Sequence, residues 1–168
     1  GHNDICDSAT PRAGEPELEH NGVSEFGKQV IEEMNRVGIM VDVSHIAKKS
    51  MLDACTLSRA PVILSHSGVD AMNEHARNID DEQLMALKEN GGVIQCVALS
   101  SFVKNRNTPD RQAAEDALRE EFGIPLIGSN QAINALSDAR RAEYDQKLEA
   151  INAQYPQLPA ANVQDYVN

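Results

Sequence analysis

The sequence predicts an α/β fold of parallel strands joined by crossover helices, and three observations predict it. Two short apolar runs, Ile39-Met40-Val41-Asp42-Val43-Ser44-His45 and Pro61-Val62-Ile63-Leu64-Ser65-His66-Ser67, each end in Ser-His. Runs this short and rich in β-branched residues read as strands buried on both faces of a parallel sheet. Residues 46–60, between them, have the length of one crossover helix. A third run, 93–99, follows another helical stretch, so the middle of the chain reads α-β-α-β-α-β with right-handed crossovers. Three strands make either a small open sheet or part of a closed barrel, which needs eight strands and about 250 residues.

Taken in order, residues 1–23 are polar, contain Pro and Gly, and read as loop. Residues 24–102 hold the βα units. Within them, the helix over 24–37 has Phe26, Val30, Ile31, Met34 and Val37 on one face, with Ser24 as N-cap and Gly38 as stop. The helix over 47–58 buries Met51, Leu52 and Cys55 and ends before Pro61. After His66, residues 68–75 are read as a short helix. Asp80 and Asp81 suit the start of the helix over 82–89, which buries Leu84, Met85 and Leu87 and stops at Asn90-Gly91-Gly92. Residues 103–168 form a helical insertion and the start of a next unit: charged amphipathic helices over 109–122 and 137–155, then a further helix begun at Val163 and reaching Asn168.

Composition excludes several classes of function. A net charge of −11 opposes nucleic acid, whose phosphates call for Lys and Arg, and an anionic membrane surface. No stretch is long and apolar enough to span a bilayer. The opening Gly-His-Asn-Asp lacks a basic start and an apolar segment, so no signal peptide is visible. That leaves a cytoplasmic and a periplasmic location both open. Cys6, Cys55 and Cys96 are scattered and odd in number, which is no disulfide framework. Cys55 and Cys96 read as small core residues.

His45 and His66 are the first candidates for chemistry. Two βα units set them at the same, carboxyl, end of adjacent parallel strands, where barrels and open α/β sheets assemble their sites. Two imidazoles converging there suit one zinc ion, and the plain alternative is that each ring merely caps a strand end. A hydrolytic zinc takes about three protein ligands, so these two are not a full set. His2 and Asp4 have ligand-like spacing on an extended segment and read equally as exposed loop residues. Arg77, followed by Asn78, suits bidentate recognition of a substrate carboxylate; its alternative is pairing with Asp80 or Asp81. Asp42, inside an apolar run, reads either as a partner that fixes a His ring or as a cap for backbone groups.

At these residues the sequence resembles the membrane (renal) dipeptidase family of zinc peptidases, as a bacterial-type member. The resemblance is carried by Asp7-Ser8-Ala9-Thr10, by His20-Asn21-Gly22-Val23-Ser24-Glu25-Phe26-Gly27 and by Glu33 through His45. It continues in Ser58 through Ser67, Arg77-Asn78-Ile79-Asp80-Asp81 and Gly91-Gly92-Val93-Ile94-Gln95. The later helices resemble an insertion seen in bacterial members. The resemblance implies part of a (βα)8 TIM-like barrel with a two-zinc site and a dipeptide substrate. His45 and His66 would be two ligands of one zinc, and Arg77, with Asn78 beside it, would hold the substrate carboxylate while metal-activated water cleaves the peptide bond. Phe102 falls where many members carry Tyr. The family's His-x-Asp pair, its bridging Glu and its late Asp find no counterpart, and His2-Asn3-Asp4 imitates the first only superficially. The chain is therefore read as a central portion of such a barrel, inactive alone. Two other readings remain: a non-catalytic barrel piece that self-associates as a homo-oligomer through open sheet edges, and a barrel metallohydrolase acting on cyclic amides.

Overall fold

In the computed structural model, which describes residues 1–12, 15–125 and 129–167, the helices start and stop on the residues that local chemistry favours. Helix α1 (Glu25–Val37) is capped by Ser24, whose hydroxyl accepts from Gly27 N. Helix α2 (Lys48–Leu57) buries Ser50, Met51, Ala54 and Cys55 and stops ahead of Pro61. Helix α3 (Asp81–Asn90) opens on a reciprocal capping box between Asp80 and Gln83. Helices α1 and α3 end at Gly38 and Gly91, with φ of 79° and 80°, a left-handed conformation that side chains with a Cβ adopt only under strain.

The sheet is built around β1 (Ile63–Val69). Strand β3 (Val93–Cys96) runs parallel to it, with Ile63 opposite Val93 and Leu64 opposite Ile94. Residues 41–43 run parallel on the other edge: Ile63 N donates to Val41 O at 2.9 Å and Val43 N to Ile63 O at 2.8 Å. Successive strand carbonyls point to opposite edges, and Val62 O accepts from Val93 N. Residues 41–43, β1 and β3 thus stand in chain order, as consecutive βα units do. The two-residue β2 (Asn78–Ile79) pairs parallel with Gly68 and Val69, joining β1 on the side away from β3. Buried Val41, Val43, Met51, Ala54, Val62, Leu64, Ile79 and Leu87 form the core beneath the sheet, joined by Cys6, Val23 and Ile31. Each of the larger side chains contributes about 1.5–3 kcal/mol.

Several expectations from the sequence are corrected here. Residues 39–43 make one bridge rather than a full strand, and Ile39 and Met40 are 57% and 62% exposed, because no described strand stands on their outer side. Strand β3 is likewise uncovered, so Val93 and Cys96 are exposed and Cys96 is not a core residue. Residues 68–75 are not a helix: β1 runs on to Val69 because Gly68 and Val69 pair with β2. His66 therefore lies inside β1, not past its end. Phe26, Val37 and Met85 face outward, while Gly27, Ile31 and Leu87 face the core.

Beyond a short α4 (Ser100–Val103), the chain enters a helical segment. Helix α5 (Pro109–Phe122) has Thr108 as N-cap and Pro109 in its first turn. Short α6 (Ser129–Asn134) leads to α7 (Asp138–Gln154), capped by Ser137. Leu118, Phe122, Ile124 and Tyr144 make a second, separate core. The segment returns where it left: Leu158 N donates to Arg106 O, Arg106 Nε donates to Leu158 O, and Lys104 pairs with Asp165. The last helix, α8 (Val163–Val167), confirms the start at Val163; Asn168 lies outside the described residues, as do residues 13 and 14 of the opening loop. Among the described residues no helix is long and apolar enough to cross a membrane.

Candidate metal centre

His45 and His66 come together, from opposite kinds of backbone. His45 sits on the turn after residues 41–43, in a left-handed conformation (φ 71°). His66 projects from β1. Their rings are 4.8 Å apart at 62°, with Nε2 facing Nε2 at 2.7 Å.

The surrounding hydrogen bonds assign every proton. Arg77 has only donors, and its NH1 lies 2.8 Å from His45 Nδ1, so that nitrogen accepts and neutral His45 carries its proton on Nε2. His66 Nε2 then accepts from His45, leaving the His66 proton on Nδ1, which donates to Ser65 Oγ at 2.7 Å. The Ser65 hydroxyl donates onward to Asp42 Oδ2 at 2.5 Å. One line of bonds runs from guanidinium to carboxylate, all pointing the same way.

Charges follow this geometry. Burial holds the His45 pKa below its ordinary value, the Arg77 charge and His66 push it further down, and Asp42 opposes them. Burial also lowers the His75 pKa, with Arg77 adding to it. For Asp42 burial acts to raise the pKa, but hydrogen bonds from Ser65 Oγ, Ser44 N and Ser65 N outweigh it and hold the carboxyl below its usual range. Neutral imidazole is the form that ligates metal, and the lowered pKa of His45 favours it.

Arg77 spans the two histidines. Its NH2 donates to His66 O at 3.2 Å, its guanidinium lies 5.5 Å over the ring of buried Phe102, and its Nε is buried without a partner. It does not pair with Asp80, which binds Lys48 Nζ at 2.6 Å. Asn78, expected beside it on the substrate, is itself buried, and its Nδ2 is committed to backbone: Asn73 O at 2.7 Å and Phe102 O at 2.8 Å. A cavity of about 190 Å³ adjoins these groups, lined by His45, Ser67, His75, Arg77, Asn78 and Gln83 among others. A larger cleft of about 520 Å³ lies among α5, α6 and α7. There Arg119 pairs with Asp116 and Arg141 with Asp145, so size alone does not mark it as the site.

The other sequence candidates lie elsewhere. His2 is not an exposed loop residue: its side chain is 1% exposed, with Nδ1 3.2 Å from Asp7 Oδ1. Asp4 is exposed, and its backbone carbonyl accepts from Ser24 Oγ. Ser65 and Ser44 were passed over in the sequence, although a Ser directly before each His was the visible signal. The hydroxyl of Ser44 accepts from His66 N at 3.2 Å.

The two rings fit a metal ion as far as they go. A tetrahedral zinc with bonds of 2.0–2.1 Å holds two imidazole nitrogens about 3.3 Å apart, so the rings need part by about 0.6 Å from the 2.7 Å seen. No group of three or more His, Cys, Asp or Glu side chains that could hold a metal occurs among the described residues. The described residues bring two candidate ligands, His45 and His66, together.

Comparison with known proteins gives the family of the chain. A model of the family described as membrane dipeptidase, peptidase family M19, matches residues 1–122. The chain is 43% identical over 121 residues to an uncharacterised dipeptidase, C965.12, of Schizosaccharomyces pombe, covering 72% of this chain and 29% of that protein. It is 38% identical over 169 residues to the dipeptidase tcpJ of Claviceps purpurea, covering 97% of this chain and 37% of that one. Among solved structures, the probable dipeptidase PvdM from Pseudomonas aeruginosa aligns with TM-score 0.74 and 30% identity over 99% of this chain and 43% of its own. A metallo peptidase from Rhodobacter sphaeroides, liganded with a phosphinate mimic of the dipeptide L-Ala-D-Ala, aligns with TM-score 0.52 and 25% identity over 86% and 49% of the two chains. The chain thus spans well under half the length of the two dipeptidases it matches in sequence.

Proposed function

Since the chain belongs to the membrane dipeptidase family, peptidase family M19, we propose that it carries one half of a zinc centre and the carboxylate anchor of a dipeptide-hydrolysing enzyme with a (βα)8 barrel. The observation that carries this reading is the convergence of two histidine Nε2 atoms at 2.7 Å with a guanidinium bonded to one of the rings. Bound zinc would supply polarisation of the peptide carbonyl and a more acidic water.

The residues of the chain do the rest. His66 already presents an Nε2 lone pair. His45 offers its own only when its proton sits on Nδ1, where Arg77 now donates. With His45 held as a ligand, ring and guanidinium would part, and Arg77 would be free for a carboxylate. Its planar fork, braced by Phe102, suits a bidentate grip on the free C-terminus of a dipeptide. Asn78 acts behind it, tying residues 73 and 102 together and so fixing the loop from which Arg77 projects.

The test is zinc content by elemental analysis after extensive dialysis. Retention near one ion per chain, lost in His45→Ala and in His66→Ala, is the expected result; no retained zinc in the unaltered chain overturns it. Two protein ligands fall short of the three a hydrolytic zinc takes, so the 168-residue chain alone is expected to show no measurable dipeptide turnover. Arg77→Lys keeps the charge without the fork and should weaken dipeptide binding to the zinc-loaded chain roughly tenfold. A dipeptide amide, which lacks the carboxylate, should bind both forms alike; calorimetry reads both.

A further inference from the structure

Ser65 and His66 are neighbours in β1, and in a regular strand neighbouring side chains leave opposite faces. Here Ser65 Oγ lies 2.7 Å from His66 Nδ1. They meet because the β1–β3 ladder is irregular between Leu64 and Ser67, and an irregularity of this kind re-aims a side chain. The hydroxyl faces three groups: Asp42 Oδ2 at 2.5 Å, His66 Nδ1 at 2.7 Å and Ser44 Oγ at 3.4 Å. A hydroxyl has one proton, and an ionised carboxylate can only accept. Asp42 is itself held in place by Ser44 N at 2.9 Å and Ser65 N at 3.3 Å. With its proton spent on Asp42, Ser65 can only accept from the imidazole.

We propose that Ser65, backed by Asp42, is a positioning residue that locks His66 in the form with its proton on Nδ1 and its Nε2 lone pair turned toward His45. A hydroxyl without the carboxylate behind it could donate or accept, and only the bond from His45 Nε2 would then hold the ring in this form. The direction of the bond is what the carboxylate adds. The consequence for metal rests on the zinc reading above; the locking of the ring does not.

The test has two arms. In the metal-free chain, two-bond ¹H–¹⁵N correlations of the imidazole read which nitrogen carries the proton. His66 should be in the Nδ1–H form, and Ser65→Ala, which leaves only the bond from His45 to favour that form, should shift part of the population to the other. In the second arm, competition against a chelator reads zinc affinity, expected to fall roughly 10- to 100-fold in Ser65→Ala. Ser65→Thr, which keeps the hydroxyl, should restore both, and a thermal melt verifies that each variant is folded. An unchanged His66 form in Ser65→Ala overturns the assignment, whatever the zinc affinity. If the unaltered chain binds no zinc, the zinc reading falls and the first arm alone decides the role of Ser65.

Discussion

In the sheet-bearing region, polar side chains reach far along the sequence to hold backbone. The fully buried Asp7 carboxylate accepts from Glu19 N, His20 N and Gly22 N at 2.7–2.9 Å. Asn35 Oδ1 accepts from Arg59 N and Ala60 N, and Asn90 Oδ1 from Val62 N at 2.8 Å. In the helical segment the polar contacts are mostly local: caps at Thr108 and Ser137, and pairs three or four residues apart such as Arg119–Asp116, Arg140–Glu143 and Arg141–Asp145. Buried Arg111, donating to Tyr155 O and Asn152 Oδ1, is the main exception. The contrast separates two ways of making a fold unique. One fixes loops at chosen points, which a catalytic centre needs; the other only fixes helices against each other.

Asp7→Ala puts the largest strain on this distinction. It strips three backbone amides of a fully buried acceptor at once, and a loss of about 3 kcal/mol or more is expected in urea unfolding. A loss under about 1 kcal/mol would mean that long-range anchors count no more than surface pairs. Phe122→Ala should cost about 3 kcal/mol, and hydrogen exchange should show that cost confined to α5 and α7 while the amides of β1 stay protected. Loss of protection in β1 as well would merge the two regions into one cooperative unit.

A smaller effect comes with pH. For Asp7, burial acts to raise the pKa, but the hydrogen bonds from Gly22, His20 and Glu19 outweigh it, with His2 assisting, and the folded value lies below the usual one. A depressed folded pKa gives stability that is complete above the unfolded value of about 3.9 and is lost as pH falls through the folded value. The stability gap between the unaltered chain and Asp7→Ala should therefore narrow below about pH 4; a gap constant to lower pH would show that the carboxylate charge is not what holds the loop. The smallest change is Arg141→Ala, which breaks an exposed pair and should shift stability by no more than about 0.5 kcal/mol.

What was legible in the sequence divides along the same line. Caps at Ser24 and Asp80 act within one helical turn, so the residues that form a helix also announce its start. The approach of His45 to His66 was legible because each apolar run ends in Ser-His and one helix length separates them. The meeting of Ser65 with His66 was not, since it depends on how β1 pairs with β3, some thirty residues on. Nor was the choice of Arg77 between His45 and Asp80, which was settled by Lys48 reaching Asp80 from α2. The outward Ile39, Met40 and Val93 mark a third limit: an apolar run says that burial is favourable, not what stands ready to provide it.

The left-handed turn at His45 bears on how the centre can be dissected. A side chain with a Cβ resists this conformation by about 1–2 kcal/mol, a load that the unmutated chain already carries at His45. Alanine there would remove the ring and keep the load, so a loss of zinc and a residual strain arrive in one measurement. Glycine would remove both. Comparing His45→Ala with His45→Gly therefore subtracts the chemistry, which the two share, and leaves the cost of aiming the ring.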